Sequence, residues 1–233
     1  MDSRTGKRVV LTSWATITAW LLLSGRYQVF LRPEFSFLLS LQLGILLILL
    51  VGTFFEKSWP RHGKHGRSSW LRLTVLLLPL CYLVVVQGTS LGSHALKNRS
   101  VPGTVLSSLK LRDTRAQIEK TGELTPLQVL QYFKDYKGKQ ITTVGRVYAD
   151  ETFPEQHVLV YRFVLFCCAA DAWPAATLVS HENIESFESD AWVKVKGTLD
   201  LKQAAGFVFP YIEAEEITAV DQPELPYIFT ALF

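Results

Sequence analysis

The sequence predicts an α+β membrane protein: a three-helix transmembrane region followed by a small five-stranded OB-like β-barrel with a flanking helix. Three observations carry this expectation. Long apolar runs fill the first 87 of the 233 residues. Beyond residue 140 the hydrophobic spacing turns to the period of two expected of half-buried strands. The charge balance also reverses: residues 1–122 hold 16 Lys+Arg against 5 Asp+Glu, whereas residues 123–233 hold 8 against 16. The formal net charge of +3 therefore averages two unlike pieces. Basic residues beside apolar runs suit anionic headgroups of a lipid bilayer. An acidic domain repels a phosphate backbone, which argues against nucleic acid as a partner.

The spans are expected at residues about 9–23, 36–54 and 71–86, within a membrane region of residues 1–87. The middle run has no charged residue. At roughly 1.5 Å per helical residue it matches a hydrocarbon core of about 30 Å. The first is interrupted by Thr and Ser and preceded by Arg4, Lys7 and Arg8. A signal peptide is the alternative there, but Ser24-Gly25-Arg26-Tyr27 offers no A-x-A cleavage pattern, so a retained anchor is expected. The third run contains Pro79, which a membrane helix tolerates when neighbours satisfy the freed backbone group. Trp59 and Trp70 flank the connecting loop, as interfacial aromatic rings do.

Basic residues set the orientation. Arg4, Lys7 and Arg8 precede the first span, and Lys57, Arg61, Lys64, Arg67 and the span-edge Arg72 lie between the second and third. Only Arg26 and Arg32 lie between the first and second. The positive-inside rule then expects a multi-pass cell-membrane protein with a cytoplasmic N-terminus and an extracytoplasmic C-terminal domain. Lys97 and Arg99, after the third span, work against that asymmetry.

Residues 88–122 read as a linker, with a turn at Pro102-Gly103 and a short helix over 109–120. Residues 123–233 form the acidic domain. Thr125-Pro126 places a capping hydroxyl before a proline at the first helical position. Leu127, Leu130 and Phe133 share a face of a helix of about 12 residues ending near Lys137-Gly138. Strands are expected over 141–148, 158–168, 176–180, 191–199 and 207–219. Gly145 and Gly197 suit the sharp coiling of a barrel corner. A two-sheet sandwich is the competing architecture.

Chemistry concentrates at the end of the second strand. Cys167, Cys168 and Asp171 place two thiols and a carboxylate within five residues, followed by Trp173-Pro174, which read as a fixed turn. Thiolates favour soft ions such as zinc or copper(I), and the carboxylate adds an oxygen ligand. His157 or His181 could complete such a set. No cofactor other than a soft metal ion is suggested. Two plainer readings stand beside this one: cysteines that fill a core, and a partner or ligand contact made by Arg162, Asp171, Trp173 and Pro174. Adjacent residues on a strand face opposite sides, so both thiols share a site only where the strand ends or bulges. A bridge between adjacent cysteines is strained, and free thiols sit awkwardly in an oxidising exterior. The pair is therefore protected, or the orientation is reversed.

His62 and His65 are a weaker metal pair and read as part of a solvated basic loop. Glu182, Glu185, Glu188 and Asp190 read as a solvated acidic loop. Glu213, Glu215 and Glu216 could hold a cation or simply face solvent from a strand. HExxH, GxSxG, GxxxxGK[ST] and GxGxxG patterns are missing, so nothing positive supports an enzyme.

Several segments together resemble the YcgQ-like bacterial membrane proteins, a group described as permease subunits. They include Phe30-Leu31-Arg32-Pro33, Leu91-Gly92-Ser93 through Asn98-Arg99, Gly145-Arg146-Val147-Tyr148, Arg162-Phe163 and Cys167 through Ala172. The strand from Trp192 to Leu199 and Gln222-Pro223 through Pro226-Tyr227 complete the likeness. Arg32 stands where histidine is common in that group. The resemblance implies an extracytoplasmic OB-like domain and a separate multispanning permease as partner. The leading reading is then a non-enzymatic accessory subunit whose barrel docks on or gates that permease. A soft-metal or redox sensor using Cys167 and Cys168 is the second reading. The third is a membrane-anchored OB-type ligand-binding module offering exposed aromatics such as Trp173 and Tyr161.

Overall fold

A computed structural model describes residues 3–55, 68–85, 90–99, 122–150, 153–204 and 207–229. The chain divides into two compact units, Met1–Thr89 and Ser90–Phe233.

The first unit is helical. Helices α1 (Ser3–Ser24), α2 (Ser36–Phe55) and α3 (Ser68–Val85) stand at the three expected positions. Gly25, at φ 69°, ends α1 in the left-handed conformation that glycine adopts without penalty. Two 3-10 turns, Arg26–Val29 and Pro33–Phe35, lead into α2. The first helix packs against both others. Arg8 reaches α2, donating from Nη2 to the Thr53 carbonyl at 3.1 Å and lying 4.4 Å from the Phe54 ring centre. The Trp14 indole donates to the Leu76 carbonyl at 3.1 Å.

α2 buries none of its side chains inside the unit, and Phe37, Leu41, Ile48 and Phe54 face outward. An apolar face of this size is uncommon on a water-soluble monomer. Among the described residues one helix, Pro33–Phe55, is long and apolar enough to cross a membrane. The other two expected spans are helical but less apolar. Hydroxyls of Thr12, Ser13, Thr16 and Thr18 interrupt α1, and α3 carries Arg72 and Pro79 in 18 residues. His62 and His65, Trp59, the turn at 102–103 and the helix expected over 109–120 lie outside the described residues.

The second unit is a closed β-barrel. Its strands are β1 (Glu123–Leu124), β2 (Gln140–Tyr148), β3 (His157–Leu165), β4 (Trp173–Ser180), β5 (Trp192–Ala204), β6 (Phe207–Ala219) and β7 (Ile228–Phe229). Five of them close the ring β2–β3–β4–β6–β5 and back to β2. All pairs in the ring are antiparallel except β4–β6, which is parallel. This closure is compatible with an OB-like barrel and leaves no room for the two-sheet alternative. The short β1 and β7 run parallel to β2 and β3.

Alternation fills the interior. Ile141, Val147, Val158, Val160, Val179, Val193, Val195, Leu199 and Ile212 form the main core. Gly197 stands where the register shifts and Glu215 becomes the extra residue on β6. A Cβ at 197 would lie 2.2 Å from the Glu213 carbonyl oxygen, so the bulge closes only around glycine. The shift also leaves Glu215 and Glu216 both exposed, beside the exposed Glu213.

Several boundaries differ from expectation; β5, for one, runs on to Ala204 instead of ending at residue 199. The helix after Thr125 breaks at Tyr132 (φ −100°, ψ 18°) into α5 (Pro126–Gln131) and α6 (Phe133–Tyr136). β3 ends at Leu165 rather than at residue 168. β4 begins at Trp173, so Pro174 pairs with Phe163 inside the strand instead of forming a turn. Proline is admissible this near a strand start. In the segment read as linker, helix α4 (Ser93–Lys97) belongs to this unit, with Leu96 buried among Tyr148, Tyr161 and Phe163.

Candidate functional site

The connection from β3 to β4 gathers the two thiols and the carboxylate. The ladder stops at Leu165 because the next three backbone amides turn to Asp171 instead. Phe166 N donates to Oδ1 at 3.1 Å, while the Cys167 and Cys168 amides donate to Oδ2 at 2.8 and 3.3 Å. A one-turn 3-10 helix, Ala169–Asp171, brings the carboxylate back over the strand end. With the strand finished, the alternation that would separate adjacent side chains no longer applies. The Cys167 thiol donates to Asp171 Oδ2 at 2.7 Å. The ligand atoms of Cys167, Cys168 and Asp171 all lie within 4.8 Å of one another.

Both thiols are free; Cys167 is exposed and Cys168 half-buried. The carboxylate beside it, then the neighbouring thiol, push the Cys167 pKa up to about 12. Burial alone would raise Asp171. The thiol and the three amides outweigh that and hold its carboxyl below the usual range. At neutral pH the loop thus carries a neutral thiol against a carboxylate. Arg99 pins the far side of the loop, donating to the carbonyls of Ala169 at 3.1 Å and of Ala172.

Neither histidine considered for this set is near it. His157 opens β3, and nine strand residues at about 3.3 Å each separate that end of the barrel from Cys167. His181 follows Ser180, which pairs with His157, so it sits at the same distant end. His157 Nδ1 lies 2.7 Å from the Glu155 carbonyl, and His181 Nδ1 accepts from the Asn183 amide.

The residues read as partner or ligand contacts lie on adjoining rungs of β3 and β4 and on the loop between them, in different surroundings. Trp173 is half-buried against a small cluster containing Leu127, Val164 and Ile228, and Pro174 is buried. Arg162 turns its guanidinium toward the C-terminal segment, donating to the Leu225 carbonyl and, at 3.4 Å, to that of Pro226. Burial lowers its pKa to about 10, so it stays charged. Tyr161, expected to be an exposed aromatic, is completely buried. It packs edge-on against Phe163, with ring centres 5.7 Å apart.

Tyr161 leads to a polar cluster that the sequence concealed. Its hydroxyl donates to Asp190 Oδ1 at 2.6 Å. Asp190, expected in a solvated acidic loop, stands at φ 73° and also accepts from the Ser93 amide and hydroxyl, both at 2.7 Å. Arg146 lies 3.7 Å from the same carboxylate and donates to the Leu91 carbonyl at 3.1 Å. The Tyr227 hydroxyl accepts from Leu91 N at 2.9 Å. A side chain at Gly92 would press on the Asp190 carboxylate at 3.0 Å. Burial would raise Asp190; its hydrogen bonds from Tyr161 and Ser93 and the charge of Arg146 hold it below the ordinary value. Arg146 and Arg162 flank the Trp192 ring at 5.4 and 5.6 Å. The cluster clamps residues 90–99 onto the barrel. The motif segments at 91–93, 145–148, 162–163, 192 and 226–227, far apart in sequence, meet here.

The chain is similar to known proteins over the barrel and, at low identity, over its whole length. Residues 122–230 match the family described as the DUF1980 C-terminal domain. The UPF0703 protein YcgQ of Bacillus subtilis (strain 168) is 23% identical over 103 residues, covering 43% of this chain and 36% of that protein. A Streptococcus mutans protein named "Putative two-component membrane permease complex subunit" is 21% identical over 266 aligned positions. That alignment covers 95% of this chain and 97% of the relative. The resemblance read from the motifs therefore holds, and the second name describes a permease subunit rather than an enzyme.

Proposed function

We propose that the chain is a non-enzymatic accessory subunit of a membrane permease, anchored by its helices and carrying the barrel on the outer side. The barrel docks on or gates a separate multispanning partner. The observation that carries this reading is the end-to-end alignment with a protein named as a permease complex subunit. The helical unit supports it: α2 turns Phe37, Leu41, Ile45, Ile48 and Phe54 outward, ready for lipid or a partner helix.

The three helices have little with which to conduct a polar substrate. Residues 9–23 and 36–55 contain no charged side chain, and α3 carries Arg72 in its first turns. Transport pathways are ordinarily marked by ionisable groups facing an interior or a cavity. The pathway therefore belongs to the partner, and this chain contributes anchoring and an acidic outer domain. Orientation follows from Arg4, Lys7, Arg8 and the basic loop at 57–67.

The test is recovery of a polytopic membrane protein with the tagged full-length chain from mild detergent, followed by reconstitution of that protein alone and with this chain. Transport that depends on this chain supports the reading; full transport without it overturns it. A reporter at residue 160 that is active in the cytoplasm would reverse the orientation.

A further inference from the structure

We propose that Cys167, Cys168 and Asp171 form an open three-ligand site for a zinc-class divalent ion. Two thiolates and one carboxylate make a mixed donor set. It suits a borderline-soft divalent cation better than copper(I), which favours sulfur throughout.

The geometry is close to what such an ion needs. With metal–sulfur bonds of about 2.3 Å and metal–oxygen bonds of about 2.1 Å, tetrahedral ligand atoms stand roughly 3.6–3.8 Å apart. The three ligand atoms lie within 4.8 Å, and the Cys167 sulfur is 2.7 Å from Asp171 Oδ2. That pair must open by about 1 Å, and Cys167 is exposed and able to turn. Supporting groups are already placed. Three amides hold the carboxylate, and Arg99 holds the carbonyls on both sides of it. Such outer contacts fix first-layer ligands and are costly to remove.

Binding breaks two S–H bonds, forms two sulfur–metal bonds, and sends both protons to the buffer. Asp171 is already ionised and releases none. The thiol proton that now bridges Cys167 and Asp171 is in effect replaced by the ion. Metal therefore competes with protons for the thiolates, and affinity should rise with pH. Three protein ligands leave a fourth position open to solvent, as in exchanging rather than purely structural sites. The site stands on its own atoms; that the ion is cargo handed to a permease rests on the accessory-subunit reading.

The experiment uses the full-length Cys81→Ser chain in detergent, under reductant, titrated with Cd(II). It follows thiolate-to-metal absorption and proton release, with Zn(II) as competitor. One ion per chain, two protons per ion and displacement by Zn(II) are expected. Cys167→Ser and Cys168→Ser should each halve the absorption and weaken binding at least tenfold. Asp171→Asn, which keeps an oxygen for the amides, should leave the absorption intact and weaken binding at least tenfold. A thermal melt of each variant separates lost binding from lost folding. Where Asp171→Asn melts early, the exposed Cys167 decides. Unchanged binding in Cys167→Ser, one ion per two chains, or no proton release overturns the site. A failed copurification would remove the permease reading and leave this result untouched.

Discussion

The helical unit and the barrel satisfy their backbones by opposite means. In α2 each amide finds a carbonyl four residues away, and many apolar side chains are left facing outward. In the barrel β2 must find β5, and β4 must pass the whole of β5 to reach β6. Helical structure therefore follows from composition over twenty residues, whereas barrel closure depends on single residues that permit a close approach. The lesson is where each unit is fragile: the helices to a change of polarity, the barrel to a change of shape.

The largest expected effect tests shape. Gly197→Val puts side-chain atoms where the Glu213 carbonyl oxygen and the Ala214 Cα already stand, at 2.2 and 2.7 Å from the first added carbon. Backbone cannot yield as a side-chain tip can, so a loss above about 4 kcal/mol is expected. Circular dichroism of the detergent-solubilised chain should lose its cooperative β transition and keep its helical signal. Parallel loss of both signals would mean that the two units do not fold separately.

Polarity comes next. Ile48 is 72% exposed on α2. A lysine at the centre of a spanning helix costs about 2.5–3.5 kcal/mol in insertion. Ile48→Lys should shift the chain out of the membrane fraction while leaving the melting of the barrel unchanged. Full membrane retention would show that α2 faces a polar cavity or a partner rather than lipid.

Asp190→Asn follows, at about 2 kcal/mol, because it weakens hydrogen bonds to a charged acceptor from Tyr161 and Ser93 and removes the charge facing Arg146. The pH dependence has a definite sign. A carboxyl held below its unfolded value stabilises the fold fully above about pH 4, and that contribution disappears as pH falls through the lower folded value. The wild-type barrel should lose stability in that acid range, and Asp190→Asn should flatten the loss. An unchanged acid profile would place the titrating group elsewhere, with Asp171 the next candidate.

The same division explains what the sequence made legible. The apolar run at 36–54 and the alternation at 141–148 are local patterns, and both elements stand where those patterns place them. The pairing of Cys167 with Asp171 was readable as proximity because they stand four positions apart. The role of Asp190 was not. Among Glu182, Glu185 and Glu188 it looks like another solvated acid, and only tertiary closure sets Tyr161, Ser93 and Arg146 around it. Tyr161 misled for the same reason. Val160 and Tyr161, adjacent on β3, are both buried, because the barrel core lies on one side and helix α4 with Leu96 covers the other.

Thr125→Ala gives the smallest effect and isolates a purely local device. Thr125 Oγ1 accepts from the Gln128 amide at 3.3 Å, and Gln128 Oε1 accepts from the Thr125 amide at 2.7 Å, a reciprocal cap at the start of α5. Removing such a hydroxyl typically costs about 1 kcal/mol. Here Leu127 and Val129 are completely buried, so α5 is held by the core as well as by its cap. Thr125→Ser should restore most of the loss, since it keeps the accepting oxygen; a melt of Thr125→Ser as low as that of Thr125→Ala would mean that the lost methyl group, not the cap, carries the effect.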